Sequence, residues 1–346
     1  MKKIIFIVPY FGSWPSYFRE WVYTAGYLEK QFIDFVLVSD IEIPFELPSN
    51  ISQIKMSIEE LRARIQSLYD FEISLETPYK LCDYRPAFGY IFTDIVCGYD
   101  FWGHCDLDMI WGDVRHFISD KILETYEKIQ YLGHFVLYRN NDKMNSLYKC
   151  KGGMFYYKEV FSSPEFYSFD EHPGMMLIAS KNNIRTYVKT NQADISPQMS
   201  RMTISRVANY QYQILYWKEG HVFRCFIDNY GNLQSEEYMY AHFQQKKPKS
   251  LIGSIEKTPK AFYFRTDGFC VLQENRLSAD YLRSISDYQS EEIDSRERKN
   301  YKKQKIRHFI NCSFRKKEIW LRIRIGTRKV NRLLTDCRYR SSEKVI

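Results

Sequence analysis

The stretch Tyr99-Asp-Phe-Trp-Gly-His-Cys-Asp-Leu-Asp-Met-Ile-Trp-Gly-Asp113 runs from an aromatic, apolar lead-in to two carboxylates, Asp106 and Asp108, and then to a Gly112-Asp113 turn signal. The apolar run predicts a strand, and the acidic pair falls where that strand should be ending. On a strand, positions i and i+2 face the same way, so both carboxylates would point to one side while Leu107 packs on the other. Two like charges held that close repel, and they are costly beside apolar neighbours. A hard divalent cation with oxygen ligands would relieve the repulsion. A solvated strand end whose aspartates cap the next turn is the alternative, and Asp-x-Asp by itself is too short a pattern to decide between them.

Working outward, Lys3 to Val8 is a continuous β-branched and aromatic run, the pattern of a strand buried on both faces of a parallel sheet. Ser16 to Lys30 has helical apolar spacing, and Phe32 to Ser39 is a second buried strand ending at Ser39-Asp40. Strand, helix and strand make a βαβ unit, whose strand carboxyl ends form a binding edge. Gly12 belongs to no G-x-G-x-x-G pattern, so a dinucleotide fingerprint is absent. Ile51 to Met56 predicts a third strand, and Ser57-Ile-Glu-Glu60 predicts a capping box opening a helix through Leu61, Ile65 and Leu68. Ala87 to Cys97 and Val114 to Lys128 have helical spacing, and Tyr131 to Tyr138 predicts a strand. Val222 to Ile227 and Tyr238 to Phe243 read as short late strands.

The 346 residues, 45% of them hydrophobic, suffice for a large core, which argues for a folded chain of one or two domains with appendages. The eight cysteines are scattered without a C-x-x-C pair, which argues against a zinc knuckle or disulfide scaffold and for a reducing compartment. The apolar run after Lys2-Lys3 is broken at Pro9 and is too short for a signal peptide, and no segment has the uncharged length of a membrane span. The expectation is a cytoplasmic protein, with peripheral association at the inner face of the membrane. Charge is uneven: residues 296–346 carry 18 Lys and Arg against 4 Asp and Glu, which leaves residues 1–295 at −6 within a net +8. The basic, amphipathic stretch His308 to Leu334 suits anionic headgroups or, alternatively, is a solvated helical pair docked on the body. An acidic body and few regularly spaced aromatics in the tail speak against a nucleic-acid partner.

With Asp106-Leu-Asp108 after an apolar strand, a βαβ start, and a late Tyr240-Ala-His-Phe243 followed by Lys247-Pro248, the chain resembles Asp-x-Asp glycosyltransferases of GT-A fold. It looks most like bacterial enzymes that assemble capsular polysaccharide or lipopolysaccharide, similar to retaining galactosyl- and glucosyltransferases. The Tyr79-Lys-Leu-Cys-Asp-Tyr-Arg-Pro86 and Tyr99 to Asp108 runs extend that resemblance to a family of polysaccharide-biosynthesis transferases. The resemblance covers roughly residues 1–250. It implies an α/β Rossmann-like fold, a mostly parallel mixed sheet flanked by helices, with a basic helical C-terminal appendage. The domains expected are a transferase domain at 1–255, a connecting segment packing on the core at 256–283, and a membrane-associating tail at 284–346.

The same resemblance implies that Asp106, Asp108 and His242 hold Mn²⁺ or Mg²⁺, with Asp106 also on the donor side and Lys247 on the phosphates. The late motif here, Gln244-Gln-Lys-Lys-Pro248, lacks the glycine of related enzymes and leaves Lys246 and Lys247 both open for that role. His242 read alone could equally be a packed strand histidine. Pro9, Tyr10 and Phe11, with Ser39 and Asp40, would receive the base and ribose, although a tight hydrophobic turn explains the first three as well. Lys80, Asp83 and Arg85 offer cations for a diphosphate and a carboxylate for sugar hydroxyls, or else form a surface ion-pair group. Asp170 and Glu171 form the catalytic pair facing the acceptor, as a base or as stabilisers of an oxocarbenium-like centre, with an acidic helix cap as the alternative. The implied partners are a UDP-hexose donor, a saccharide acceptor including an undecaprenyl-diphosphate-linked one, and an anionic membrane surface. Two other readings remain: a metal-dependent phosphoryl or nucleotidyl transferase, disfavoured by the lack of a Gly-rich phosphate loop, and a non-enzymatic membrane-binding adaptor.

Overall fold

A computed structural model describes residues 1–244, 246, 248–250, 259–273, 277–287, 293 and 295–304. The strands are β1 (Ile4–Pro9), β2 (Ile33–Val38), β3 (Ile51–Ile54), β4 (Phe101–Cys105), β5 (Met109–Trp111), β6 (Lys128–Ile129), β7 (Phe135–Arg139), β8 (Thr186–Tyr187), β9 (Ala193–Asp194), β10 (Gln213–Lys218), β11 (His221–Ile227), β12 (Leu233–Tyr238), β13 (Tyr240–His242), β14 (Ala261–Arg265) and β15 (Gly268–Val271). They form a seven-stranded sheet of order β3-β2-β1-β4-β7-β6-β8, a three-stranded sheet β5-β13-β9, and a five-stranded sheet β12-β11-β10-β14-β15.

The run Ile4 to Val8 is apolar throughout because β1 is covered on both faces. Ile5 and Ile7 join one core with Leu61, Ile65 and Trp102, while Ile4, Phe6 and Val8 join the opposite one with Trp21, Phe35 and Trp111. β3, β2, β1 and β4 run parallel, and β7 returns antiparallel to β4. This is the mixed, largely parallel α/β sheet flanked by helices that the resemblance implies. The helix Ile58–Gln66 begins at Ser57 with the expected capping box: the Ser57 hydroxyl accepts from the Glu60 amide, and the Glu60 carboxylate accepts from the Ser57 amide. Its Leu61 and Ile65 are fully buried.

Several elements depart from their expected form. Asp106, Leu107 and Asp108 are not on a strand but in the bend that joins β4 to β5, with Leu107 buried beneath the two carboxylates' backbone. Val114 to Lys128 is two short helices, Val114–Phe117 and Asp120–Thr125, because the chain leaves helical angles at Ile118, whose side chain turns inward and is fully buried; Lys128 then belongs to β6. Ala87 to Cys97 breaks similarly at Phe92 into Phe88–Ile91 and Thr93–Val96. The expected late strand Tyr238 to Phe243 is split between β12 and β13, two strands in different sheets. The 256–283 stretch supplies β14, β15 and the helix Ala279–Ile285, with β14 paired to β10. Residues 305–346, most of the expected basic tail, lie outside the described residues.

Gly103 sits where β4 packs closely on β7: a Cβ there would stand 2.4 Å from the Val136 carbonyl oxygen and 2.6 Å from Leu137. Gly103→Ala is therefore expected to cost about 1–3 kcal/mol of stability through overpacking, measured as a lowered denaturant midpoint with an unchanged slope.

Candidate functional site

A cleft of about 620 Å³ opens at the carboxyl ends of β1 and β4. Pro9, Tyr10, Phe11, Arg85, Asp106, Asp108, His134, Asp170, Glu171 and His242 all line it. The convergence is produced by strand pairing. β13 runs antiparallel to β5 with His242 opposite Met109, and the Phe243 amide donates to the Asp108 carbonyl at 2.8 Å. The late histidine is thereby brought beside the acidic bend: His242 Nε2 stands 3.3 Å from Asp108 Oδ1 and 3.8 Å from Asp106 Oδ2. The bend itself is held by its backbone, with the Asp106 amide donating to the His134 carbonyl and the Trp21 indole donating to the Asp106 carbonyl, each at 3.2 Å.

Ligand atoms of Asp106, Asp108 and His242 lie within 4.8 Å of one another, and those of His134, Asp194 and His242 form a second such group. Oxygen and imidazole donors converging at that spacing fit a divalent transition-type cation. Asp194 supports this fit. Its Oδ1 contacts His242 Nδ1 at 2.9 Å, which fixes the ring and directs Nε2 at the aspartates, the carboxylate–histidine arrangement typical behind a metal ligand. Without a cation, burial alone would lower the His242 pKa, but contact with Asp108 and Asp194 overrides it and lifts the value to about 10. His134, stacked on His242 at 4.2 Å, is held neutral: burial, then the charge of His242, presses it down to about 3. Its Nδ1 meets the Tyr240 hydroxyl at 3.0 Å, and its Nε2 has no hydrogen-bond partner.

Arg85 ties the other wall together. Its guanidinium bonds to the Asp106 carboxylate, to Asp170 Oδ2 at 3.1 Å and to the Gly133 carbonyl at 3.2 Å. Burial would raise Asp106, but Arg85 and then His242 and His134 outweigh it and hold the carboxyl at about 2. Asp170, only 2% exposed, goes the other way: burial dominates, Arg85 opposes it and Glu171 adds to it, and its pKa rises to about 7. Glu171 accepts from the Gly133 amide at 3.0 Å. Gly133 leaves no room in this knot, since a Cβ would stand 2.6 Å from Asp170 Oδ2.

Other expected residues are placed differently. Lys80 and Asp83 are buried and do not line the cleft; they pair at 2.9 Å. Lys80 Nζ donates to the Val160 and Glu165 carbonyls, and Asp83 accepts from the Tyr167 and Phe169 amides at 3.0 and 2.9 Å. This pair fastens the loop that delivers Asp170 rather than facing solvent or a ligand. Ser39 is buried at the end of β2 and accepts from the Ile41 amide, Asp40 is exposed, and neither lines the cleft. Tyr10 stacks on Trp14 at 5.3 Å. Of the two lysines left open, Lys246 donates to the Met199 and Ser200 carbonyls at 2.7 and 3.2 Å, and Lys247 lies outside the described residues. Asp194 and His134 are site residues that the sequence does not mark; Asp194 follows Ala193 on a two-residue strand and has no spacing pattern of its own.

Two outcomes follow. Asp83→Asn strands the buried Lys80 ammonium and is expected to cost roughly 3–5 kcal/mol, read by chemical denaturation. Asp170 has a folded pKa near 7, above an unfolded value of about 3.9. Its contribution to stability is thus complete below pH 4 and is lost as pH rises through 7. In metal-free protein the unfolding temperature of Asp170→Asn, relative to the native chain, should climb from pH 4 to pH 8; a flat difference would contradict the assignment.

Residues 6–273 match a family described as "Family of unknown function (DUF6625)". No curated protein matches the chain. Among solved structures the chain is similar to the galactosyltransferase LgtC in complex with donor and acceptor sugar analogues, at 9% identity over 56% of this chain and 76% of that one. The TM-score of 0.32 is too low for that likeness to bear on the site. The family match spans most of the chain and includes the whole acidic and imidazole cluster, so the protein belongs to this family of unknown function.

Proposed function

We propose that the chain is a metal-dependent glycosyltransferase that moves a hexose, galactose or glucose, from a UDP-sugar to a saccharide acceptor in bacterial surface polysaccharide synthesis. The observation that carries this reading is the meeting of Asp106, Asp108 and His242 in one cleft with Pro9, Tyr10, Arg85, Asp170 and Glu171. In nucleotide-sugar transfer the bond between the anomeric carbon and the diphosphate breaks, and negative charge grows on the leaving diphosphate. A divalent cation held by Asp106, Asp108 and His242 supplies positive charge to that diphosphate, and the imidazole ligand favours Mn²⁺ over Mg²⁺. Arg85, already at the cleft wall, adds a second positive charge near the same oxygens. Tyr10 at the end of β1 would receive the base, and Lys247 the phosphates.

On the acceptor side, Asp170 and Glu171 are the available carboxylates. A pKa near neutrality suits Asp170 to exchange a proton with an acceptor hydroxyl, while Glu171, fixed by the Gly133 amide, suits hydroxyl positioning. The basic tail at 284–346 would hold the protein at the inner face of the membrane, where a lipid-linked acceptor would be presented. No helix among the described residues is long and apolar enough to cross a membrane.

Thermal unfolding tests the reading. UDP together with Mn²⁺ should stabilise the protein, by about 2.7 kcal/mol at a hundred times Kd, while UDP without metal should not. Asp108→Asn should remove the shift. Stabilisation by UDP or ATP that ignores the metal, or a full shift in Asp108→Asn, would overturn the proposal.

A further inference from the structure

A second and larger groove, about 1170 Å³, adjoins the cleft. Its inner end is Asp194 and Gln244, and the contact between Asp194 and His242 is the junction of the two spaces. Its walls are the 196–211 segment and the helical residues 295–304. These walls are drawn together at Ser200: its amide donates to the Glu297 carboxylate at 2.9 Å, and its carbonyl accepts from Lys246.

Among the described residues, Arg201, Arg206, Arg298, Lys299 and Lys302 line the groove, with Arg201 donating to the Tyr210 carbonyl at 2.9 Å, and Asp194 is the one lining carboxylate. That carboxylate is already engaged by His242 and Gln244. The Glu297 carboxylate on the facing helix accepts from the Ser200 amide. Uncharged donors fill the rest of the wall, among them Ser196, Gln198, Ser205 and Asn209. Thr203 adds an independent sign of a missing ligand: it lines the groove at 4% exposure, and its hydroxyl has no hydrogen-bond partner. A buried hydroxyl without a partner is costly. Arg206, Lys299 and Lys302 beside such a donor in a concave space concentrate positive potential that a compact polyanion would relieve.

We infer that this groove is a phosphate-binding site that takes a diphosphate group. The anion is seated by Arg206, Lys299 and Lys302 at the rim and by Arg201 and Thr203 deeper in. A diphosphate there belongs to the acceptor, which would reach the cleft past Asp194; this last assignment rests on the transferase reading, whereas the anion site itself does not.

The test uses the full chain with EDTA present, titrated calorimetrically with inorganic pyrophosphate, so that the metal cluster plays no part. Pyrophosphate should bind, and the triple variant Arg206→Glu/Lys299→Glu/Lys302→Glu should bind it about tenfold or more weakly. Lys260→Glu, a charge reversal at an exposed lysine outside the groove, should bind as the native chain does. An unchanged unfolding temperature and an unchanged response to UDP with Mn²⁺ would show that the triple variant keeps its fold and its cleft. Vesicles of phosphatidylglycerol identify the source: co-sedimentation that pyrophosphate displaces, and that the triple variant loses, assigns the phosphate to a lipid, while pyrophosphate binding without such co-sedimentation assigns it to a soluble ligand. Pyrophosphate binding that is absent, or equal in the triple variant and the native chain, overturns the inference. Loss of the UDP response alone would overturn the transferase reading and leave the groove intact.

Discussion

Four carboxylates crowd one cleft in this protein, and the guanidinium of Arg85 is what makes the crowding tolerable. It reaches Asp106 on one side and Asp170 on the other while also donating to the Gly133 carbonyl. Like charges so close would ordinarily drive one another to protonate. Here the sharing is unequal. Asp106 stays ionised to about pH 2, whereas Asp170, more deeply buried and next to Glu171, titrates near 7. One arginine thus leaves a carboxylate that stays charged on one side and a carboxyl that titrates near neutrality on the other. Two neighbouring carboxyls with separated pKa values are the arrangement that acid and base chemistry requires.

That balance depends on parts of the chain that never touch the cleft. The buried Lys80–Asp83 pair holds the 165–169 backbone by three contacts and the Val160 carbonyl by a fourth, and Asp170 follows directly after that segment. Trp21 anchors the bend at Asp106 from the helix Phe18–Gly26. Asp194 fixes the His242 ring from β9, and the same carboxylate borders the basic groove. Asp106, Asp170 and His242 are therefore each held in place by polar contacts from behind the cleft, at the expense of buried charge. The same contacts join the two cavities, so that a ligand in the groove would lie within one side chain of His242.

Much of the fold could be read from local pattern because its causes are local. β1 and β2 are apolar on both faces, as strands inside a covered parallel sheet must be. Ser57 and Glu60 cap their helix through bonds spanning three residues. The Asp-x-Asp pair and the late His242 were visible as motifs, and they do meet at one cleft. Strand alternation does not, however, account for Asp106 and Asp108, which line one cleft because a bend turns them and not because a pleat does. Helical spacing also overran its elements at Phe92 and Ile118, where burial of one side chain outweighed continuation of the helix.

By itself the amino-acid sequence determined the α/β class and the strands β1 to β4 and β7 of the central sheet, since these follow from short-range periodicity, and its residue chemistry offered the four carboxylates of the cleft, with His242 entering only through a resemblance. Only the tertiary structure decided that β13 pairs with β5, that Lys80 and Asp83 face inward while Arg85 faces the cleft, and that Asp194 and His134 stand behind His242. The physical reason is one of range. Propensity and capping act over a few residues, whereas strand register, desolvation and charge pairing depend on neighbours supplied from distant parts of the chain.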